Sequence, residues 1–111
     1  MTLRSVFANY SKLDVCGEVE TGRQAVEAAI ALRPDLVLLD YKMRDGDGIE
    51  TAHELKQKLP ETPIVMFTLY KTQELESKAR KAGVNAVVSK EEGVIKLLYT
   101  IEGQLKQPPI I

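Results

Sequence analysis

Hydrophobic residues along this chain fall into two alternating patterns. Short apolar runs occupy 36–39, 64–67 and 84–88, the last interrupted only by Asn85, each bounded by turn-forming or polar residues. Runs this short and rich in branched side chains predict parallel strands buried on both faces. Between them lie longer segments whose apolar residues recur every three or four positions, the signature of amphipathic helices. Ala25, Ala28, Ala29 and Leu32 mark one such face, widened by Val26 and Ile30. Ile49, Ala52, Leu55 and Leu59 mark a second, Leu75, Ala79 and Ala82 a third. Val94, Leu97, Leu98, Ile101 and Leu105 mark the last. Near the start, Leu3, Val6, Phe7 and Tyr10 predict a helix over 2–11. Residues 13–20 alternate apolar and polar and predict a half-buried strand, with Cys16 a small buried residue within it.

The boundaries carry their own signals. Thr21 with Gln24 and Ser89 with Glu92 have the spacing of capping boxes, in which each side chain satisfies a backbone N–H at a helix start. Asp47 is a candidate N-cap for the helix over 48–58. Arg33-Pro34 and Gly83 mark helix ends. Glu74/Lys78 and Glu76/Arg80 are i, i+4 pairs in the favourable order on the helix over 72–82. The order is α-β-α-β-α-β-α-β-α, which predicts right-handed crossovers and a parallel sheet with helices on both faces.

Composition narrows the functional classes. The 111 residues suit one domain with one core. Fifteen basic against sixteen acidic side chains give a net charge of −1, with no basic patch for nucleic acid. No apolar run approaches a membrane span, and no secretory pattern opens the chain, so the expected location is cytoplasmic. Cys16 is the only cysteine and His53 the only histidine, so neither a disulfide framework nor a histidine metal site is available.

The candidate chemistry sits where strands end. Asp40, Thr68 and Lys90 each follow directly on an apolar run or its last residue. Taken singly, they read as a turn residue, a strand-end hydroxyl and a solvated lysine. Parallel strands align their C-terminal ends, however, and ligands bind in the crevice there. A carboxylate can attack phosphorus, and a hydroxyl and an ammonium are suited to receive the charge spread over a phosphoryl group. No glycine-rich phosphate loop and no nucleophile elbow argue for an enzyme, and the chain is not read as one.

With these residues in hand, Asp40-x-x-Met43-x-x-x-Asp47-Gly48, Met66-Phe67-Thr68 and Ala82-Gly83 followed by Ser89-Lys90 resemble the receiver domain of bacterial two-component response regulators. The resemblance implies a flavodoxin-like (CheY-like) doubly wound parallel sheet of order 2-1-3-4-5, a single domain over 1–107 and a tail at 108–111. It implies that Asp40 accepts a phosphoryl group from a histidine kinase or phosphotransfer protein, with Thr68 as switch hydroxyl and Lys90 as phosphate-binding lysine. It further implies a Mg²⁺ ion held by Asp40 and the backbone carbonyl of Lys42, and output through protein–protein contact, without direct nucleic-acid or membrane binding. The segment Thr68-Leu69-Tyr70 is similar to regulators whose full-length forms carry a helix-turn-helix output domain.

The chain also departs from that family. Receivers open with a strand ending in an acidic pair that binds Mg²⁺, and neither is present. The chain is therefore expected to be a receiver truncated at its N-terminus with weak or absent metal affinity. Two outcomes are expected for the gap in the sheet: the strands over 13–20 and 36–40 close up, or a second chain fills it, as in a homodimer. Asp45 and Asp47 are weighed as substitute metal ligands, but turn and cap roles are preferred. Arg44 replaces a usual proline, Val87 a usual aromatic, and Leu69 a usual alanine that leaves more room near Asp40. Tyr70 is a candidate replacement for the aromatic reporter. The alternative function is a degenerate, phosphorylation-independent interaction module.

Overall fold

The computed structural model describes Phe7 and residues 13–105. The predicted helix over 2–11 and the tail lie outside them, except for Phe7, which is helical and buried. Helix α1 spans Gly22–Leu32, strand β1 Val37–Leu39, β2 Lys42–Met43 and β3 Gly46–Asp47. Helix α2 spans Gly48–Lys58, β4 Ile64–Thr68, α3 Gln73–Lys81, β5 Ala86–Ser89 and α4 Val94–Leu105. A 3-10 turn, Lys90–Glu92, precedes α4.

Both capping boxes form, the one at Thr21 opening α1 and the one at Ser89 opening the 3-10 turn. Gly93, at φ +90°, separates that turn from α4. Asp47 caps α2 through the Glu50 N–H, and Gly83, at φ +101°, follows the end of α3. Both i, i+4 pairs of α3 close, at 3.2 Å for Lys78–Glu74 and 3.4 Å for Arg80–Glu76.

The main sheet is parallel, in the order β1-β4-β5. Its central strand β4 is buried at every position, and its side chains alternate between two cores. Ile64 and Met66 join Ala25, Ala29, Ala52, Leu55 and Ala79 from α1, α2 and α3. Val65 and Phe67 join Phe7, Leu97 and Ile101 on the opposite face. Helices thus cover both faces, as the alternation of elements requires.

Two expectations are corrected. Residues 13–20 form no strand. Leu13 and Val15 remain half-buried while Asp14 and Cys16 face outward, so the strand-like alternation survives without a ladder. Cys16 is exposed rather than buried. The physical reason is the lack of a hydrogen-bonding neighbour: among the described residues β1 pairs only with β4, and a strand without a partner has no ladder to join. The two flanking segments have not closed up either. A cleft of about 740 Å³ lies between them. Consistent with this, Leu32 is half exposed and lines the cleft, and Ile30, also expected inside, faces solvent.

The loop after Asp40 folds as a tight antiparallel hairpin pairing Lys42 with Asp47 and Met43 with Gly46.

Candidate functional site at the sheet edge

Asp40 follows immediately on β1 and Lys90 on β5, the two strands that flank β4. The parallel register brings their ends level, with Leu39 beside Met66 and Thr68 beside Ser89. Lys90 Nζ lies 2.7 Å from Asp40 Oδ2 and 5.9 Å from the Phe67 ring centroid. The ring face gives the ammonium a second, weaker attraction. The other carboxylate oxygen, Asp40 Oδ1, is buried and has no hydrogen-bond partner among the described residues.

The backbone fixes both groups. The Gly48 N–H donates to the Tyr41 carbonyl, tying the start of α2 to the turn after Asp40. A Cβ at Gly48 would stand 2.2 Å from the Asp40 carbonyl oxygen, so only glycine permits this approach. On the Lys90 side, Glu92 Oε1 accepts from the Ser89 N–H at 2.9 Å and from Lys71 Nζ at 3.2 Å. The Ser89 N–H and then Lys71 hold the Glu92 carboxyl below its ordinary range. This link joins the loops after β4 and β5.

Thr68 sits at the end of β4, between the two, and is fully buried. Its hydroxyl accepts from the Tyr70 N–H at 3.1 Å. The structure therefore brings Asp40 and Lys90 into direct contact and places Thr68 on the intervening strand, with its acceptor engaged by its own loop. Tyr70 meets Tyr41 edge to face at 6.2 Å and has the Lys42 ammonium 4.8 Å from its ring centroid. Leu69 points to solvent, and Val87 is packed in the core.

Sequence reasoning missed the role of Asp45. Its Oδ1 accepts from the Gly22 N–H at 2.8 Å and its Oδ2 from the Arg23 N–H at 3.1 Å. A carboxylate on the hairpin thus satisfies the first donors of α1, which hold its pKa below the ordinary value. The two residues of the hairpin turn are Arg44 and Asp45, which carry no Asn-Gly or Asp-Gly signal, and a contact across 22 residues has no local signature.

Receiver domains generally use Mg²⁺ in phosphorylation. The unpartnered Asp40 Oδ1 suits one position around such an ion. Mg²⁺ demands a near-octahedral set of oxygens, and among the described residues no group of three or more His, Cys, Asp or Glu converges as a metal site. Asp45 and Asp47 are committed to the helix starts described above. The described donors alone thus do not amount to a Mg²⁺ site.

A parallel sheet wrapped by helices on both faces, with a carboxylate and an ammonium paired at its C-terminal edge, defines a flavodoxin-like α/β domain with an acidic sheet-edge site. The family model for the response regulator receiver domain matches residues 1–102, and the chain belongs to that family. It is 36% identical over 88 residues to the response regulator protein VraR of Staphylococcus saprophyticus, covering 79% of this chain and 42% of that protein. It is 36% identical over 98 residues to the transcriptional regulatory protein YhcZ of Bacillus subtilis, covering 88% of this chain and 46% of that one. The chain thus spans less than half the length of these relatives. The crystal structure of a LuxR-family two-component response regulator from Aurantimonas sp. superposes with a TM-score of 0.89 at 24% identity, over 93% of this chain and 74% of that one, which shows the shared fold. The chain is thus a receiver module of two-component signalling, a class that is generally not enzymatic.

Proposed function

We propose that Asp40 is the phosphoacceptor and that a histidine kinase or phosphotransfer protein is the donor. The observation that carries this reading is the split environment of one carboxylate: Oδ2 is held by Lys90, and Oδ1 has no donor among the described residues. Oδ1 attacks phosphorus, an O–P bond forms, and the P–N bond of the donor phosphohistidine breaks as the imidazole, already protonated on its other ring nitrogen, takes the bonding pair and leaves neutral. Lys90 is placed to take a phosphoryl oxygen in exchange for Oδ2, and the Thr68 hydroxyl, which accepts from the Tyr70 N–H, keeps its own O–H to donate to a second one. Output passes through contact with other proteins. The expected location is the cytoplasm; no described helix is long and apolar enough to cross a membrane.

The test is incubation with a small phosphodonor, with and without Mg²⁺, read by intact mass. A single phosphoryl adduct, lost in Asp40→Asn and in neither Asp45→Asn nor Asp47→Asn, is expected. Lack of any adduct favours the second reading, a phosphorylation-independent interaction module, which the sparse carboxylate set around Asp40 supports.

A further inference from the structure

The loop between β4 and α3 ties together the two sides of the Asp40–Lys90 pair. Tyr70 and Lys71 are adjacent, and they reach the segments on opposite sides of β4. The Tyr70 ring meets Tyr41 and the Lys42 ammonium, on the segment that follows Asp40. Lys71 Nζ reaches Glu92 Oε1 at 3.2 Å, on the 3-10 turn that begins with Lys90. Lys71 is a fixed post, because its chain neighbours are pinned. The Tyr70 N–H is held by the Thr68 hydroxyl, and the Thr72 hydroxyl caps α3 by accepting from the Leu75 N–H at 3.0 Å. The turn that carries Lys90 has little of its own to hold it. It is three residues long, and Gly93 follows at φ +90°. A 3-10 turn of this length closes i→i+3 bonds of poorer geometry than a helix. The capping box sets its orientation: Ser89 Oγ accepts from the Glu91 N–H at 3.1 Å, and Glu92 Oε1 from the Ser89 N–H at 2.9 Å. One oxygen, Glu92 Oε1, thus receives both the Ser89 N–H and the Lys71 ammonium.

We propose that Lys71 and Glu92 are positioning residues for phosphoryl acceptance at Asp40: Lys71 fixes Glu92, and Glu92 fixes the turn that aims Lys90 at the carboxylate. The inference rests on Asp40 being the phosphoacceptor. Both residues act through Lys90 and are not reacting groups. A lysine ammonium is a point charge on a flexible four-carbon stem, so its place depends on where its backbone starts and what its head meets. The Phe67 ring, 5.9 Å from the ammonium, is a weak guide. Oδ2 is a guide only until Lys90 leaves it for a phosphoryl oxygen. During that exchange the turn alone keeps the ammonium level with Asp40. A cap needs no more than the Ser89 N–H on Glu92. The second donor on the same oxygen joins the Lys90 turn to the loop that engages Thr68, so the two phosphoryl-binding groups share one support.

The test is the initial rate of Asp40 adduct formation on the full chain with phosphoramidate and Mg²⁺, read by intact mass. It is paired with proton exchange of the Lys90 ammonium, read by nuclear magnetic resonance without phosphodonor. Lys71→Met slows the adduct about two- to fivefold, the size of an exposed ion pair. Glu92→Ala, which also loses the cap, slows it about tenfold. Lys71→Met adds nothing in the Glu92→Ala background, and Glu92→Gln, which keeps an acceptor for the Ser89 N–H, recovers most of the rate. Lys90 exchange quickens in the same order as the rates fall. Lys78→Met, which breaks an ion pair of equal length on α3, keeps the parent rate and the parent exchange. A merely structural role would shift the urea midpoint and leave Lys90 exchange in the folded chain unmoved. Three outcomes overturn the inference alone: parent rates in Glu92→Ala, independent effects of the two substitutions in the double variant, or unchanged Lys90 exchange. A parent chain that takes no adduct overturns the phosphoacceptor reading, and this inference with it.

Discussion

Lys90 Nζ and Asp40 Oδ2, fifty residues apart in sequence, are joined at 2.7 Å across the end of the central strand. Each side chain is more than a third exposed, at 37% and 36%, so the pair is screened by solvent. Exposed pairs contribute about 0–1 kcal/mol. Lys90→Ala is expected to lower stability by less than about 1 kcal/mol in urea unfolding, while greatly slowing formation of the Asp40 adduct. A double-mutant cycle with Asp40→Asn should return a coupling within the same range. A coupling of several kcal/mol would show that the pair is a structural clamp rather than a poised site.

The Thr68 hydroxyl is a buried group with one visible partner, the Tyr70 N–H. Thr68→Val keeps the shape and removes the acceptor. The expected loss is about 1–2 kcal/mol, the cost of leaving a partly buried donor unmade. Adduct formation should persist in this variant, because the hydroxyl is not the nucleophile. Its loss together with normal stability would reassign Thr68 to the chemical step.

Much of this arrangement was legible in the sequence because it is local. The capping box at Thr21, the cap at Asp47 and the apolar runs ending at Asp40, Thr68 and Lys90 depend on neighbours a few residues away. The errors have a common origin in the sheet. Alternation over 13–20 correctly marked Leu13 and Val15 as inward, yet a strand exists only if another strand bonds to it. Cys16 and Ile30 were misplaced for the related reason that burial belongs to the assembled layers, not to a helix or strand alone. The hairpin over 42–47 and its Asp45 contact to α1 needed the fold itself.

That contact makes stability depend on acid. The N–H groups of Gly22 and Arg23 lower the Asp45 pKa in the folded chain. A depressed carboxyl pKa contributes stability that is fully present above the unfolded value near 4 and is lost as pH falls through the folded value. Asp45→Asn should therefore lower the melting temperature at neutral pH and narrow its gap to the parent below about pH 4. A constant gap from pH 7 to pH 2.5 would show that the loss comes from geometry and not from charge.

Packing differs sharply between the middle and the open edge of the sheet. Met66 is fully buried in β4, and its truncation to alanine should cost about 2–5 kcal/mol. Leu38 is only half-buried, beside the cleft, and its truncation should cost less than about 2 kcal/mol. Comparing the two by urea midpoint at unchanged slope tests whether the cleft is open in solution. Equal losses would mean that Leu38 is as enclosed as Met66.

Gly48 shows how closely the site and the core are built together. An added Cβ would lie 2.2 Å from the Asp40 carbonyl oxygen and 3.1 Å from Met66 Cε. The methionine tip can move, but the backbone carbonyl cannot without carrying Asp40 away from Lys90. Gly48→Ala should thus cost about 1–3 kcal/mol and reduce adduct formation at the same time. Gly103→Ala provides the control, since nothing lies within 4 Å of its added Cβ in α4. Replacing glycine inside a helix there should stabilise by about 0.5–1 kcal/mol and leave the adduct rate unchanged. If both substitutions were neutral, the close approach of α2 to the Asp40 backbone would not exist in solution, and the placement of the carboxylate would need another explanation.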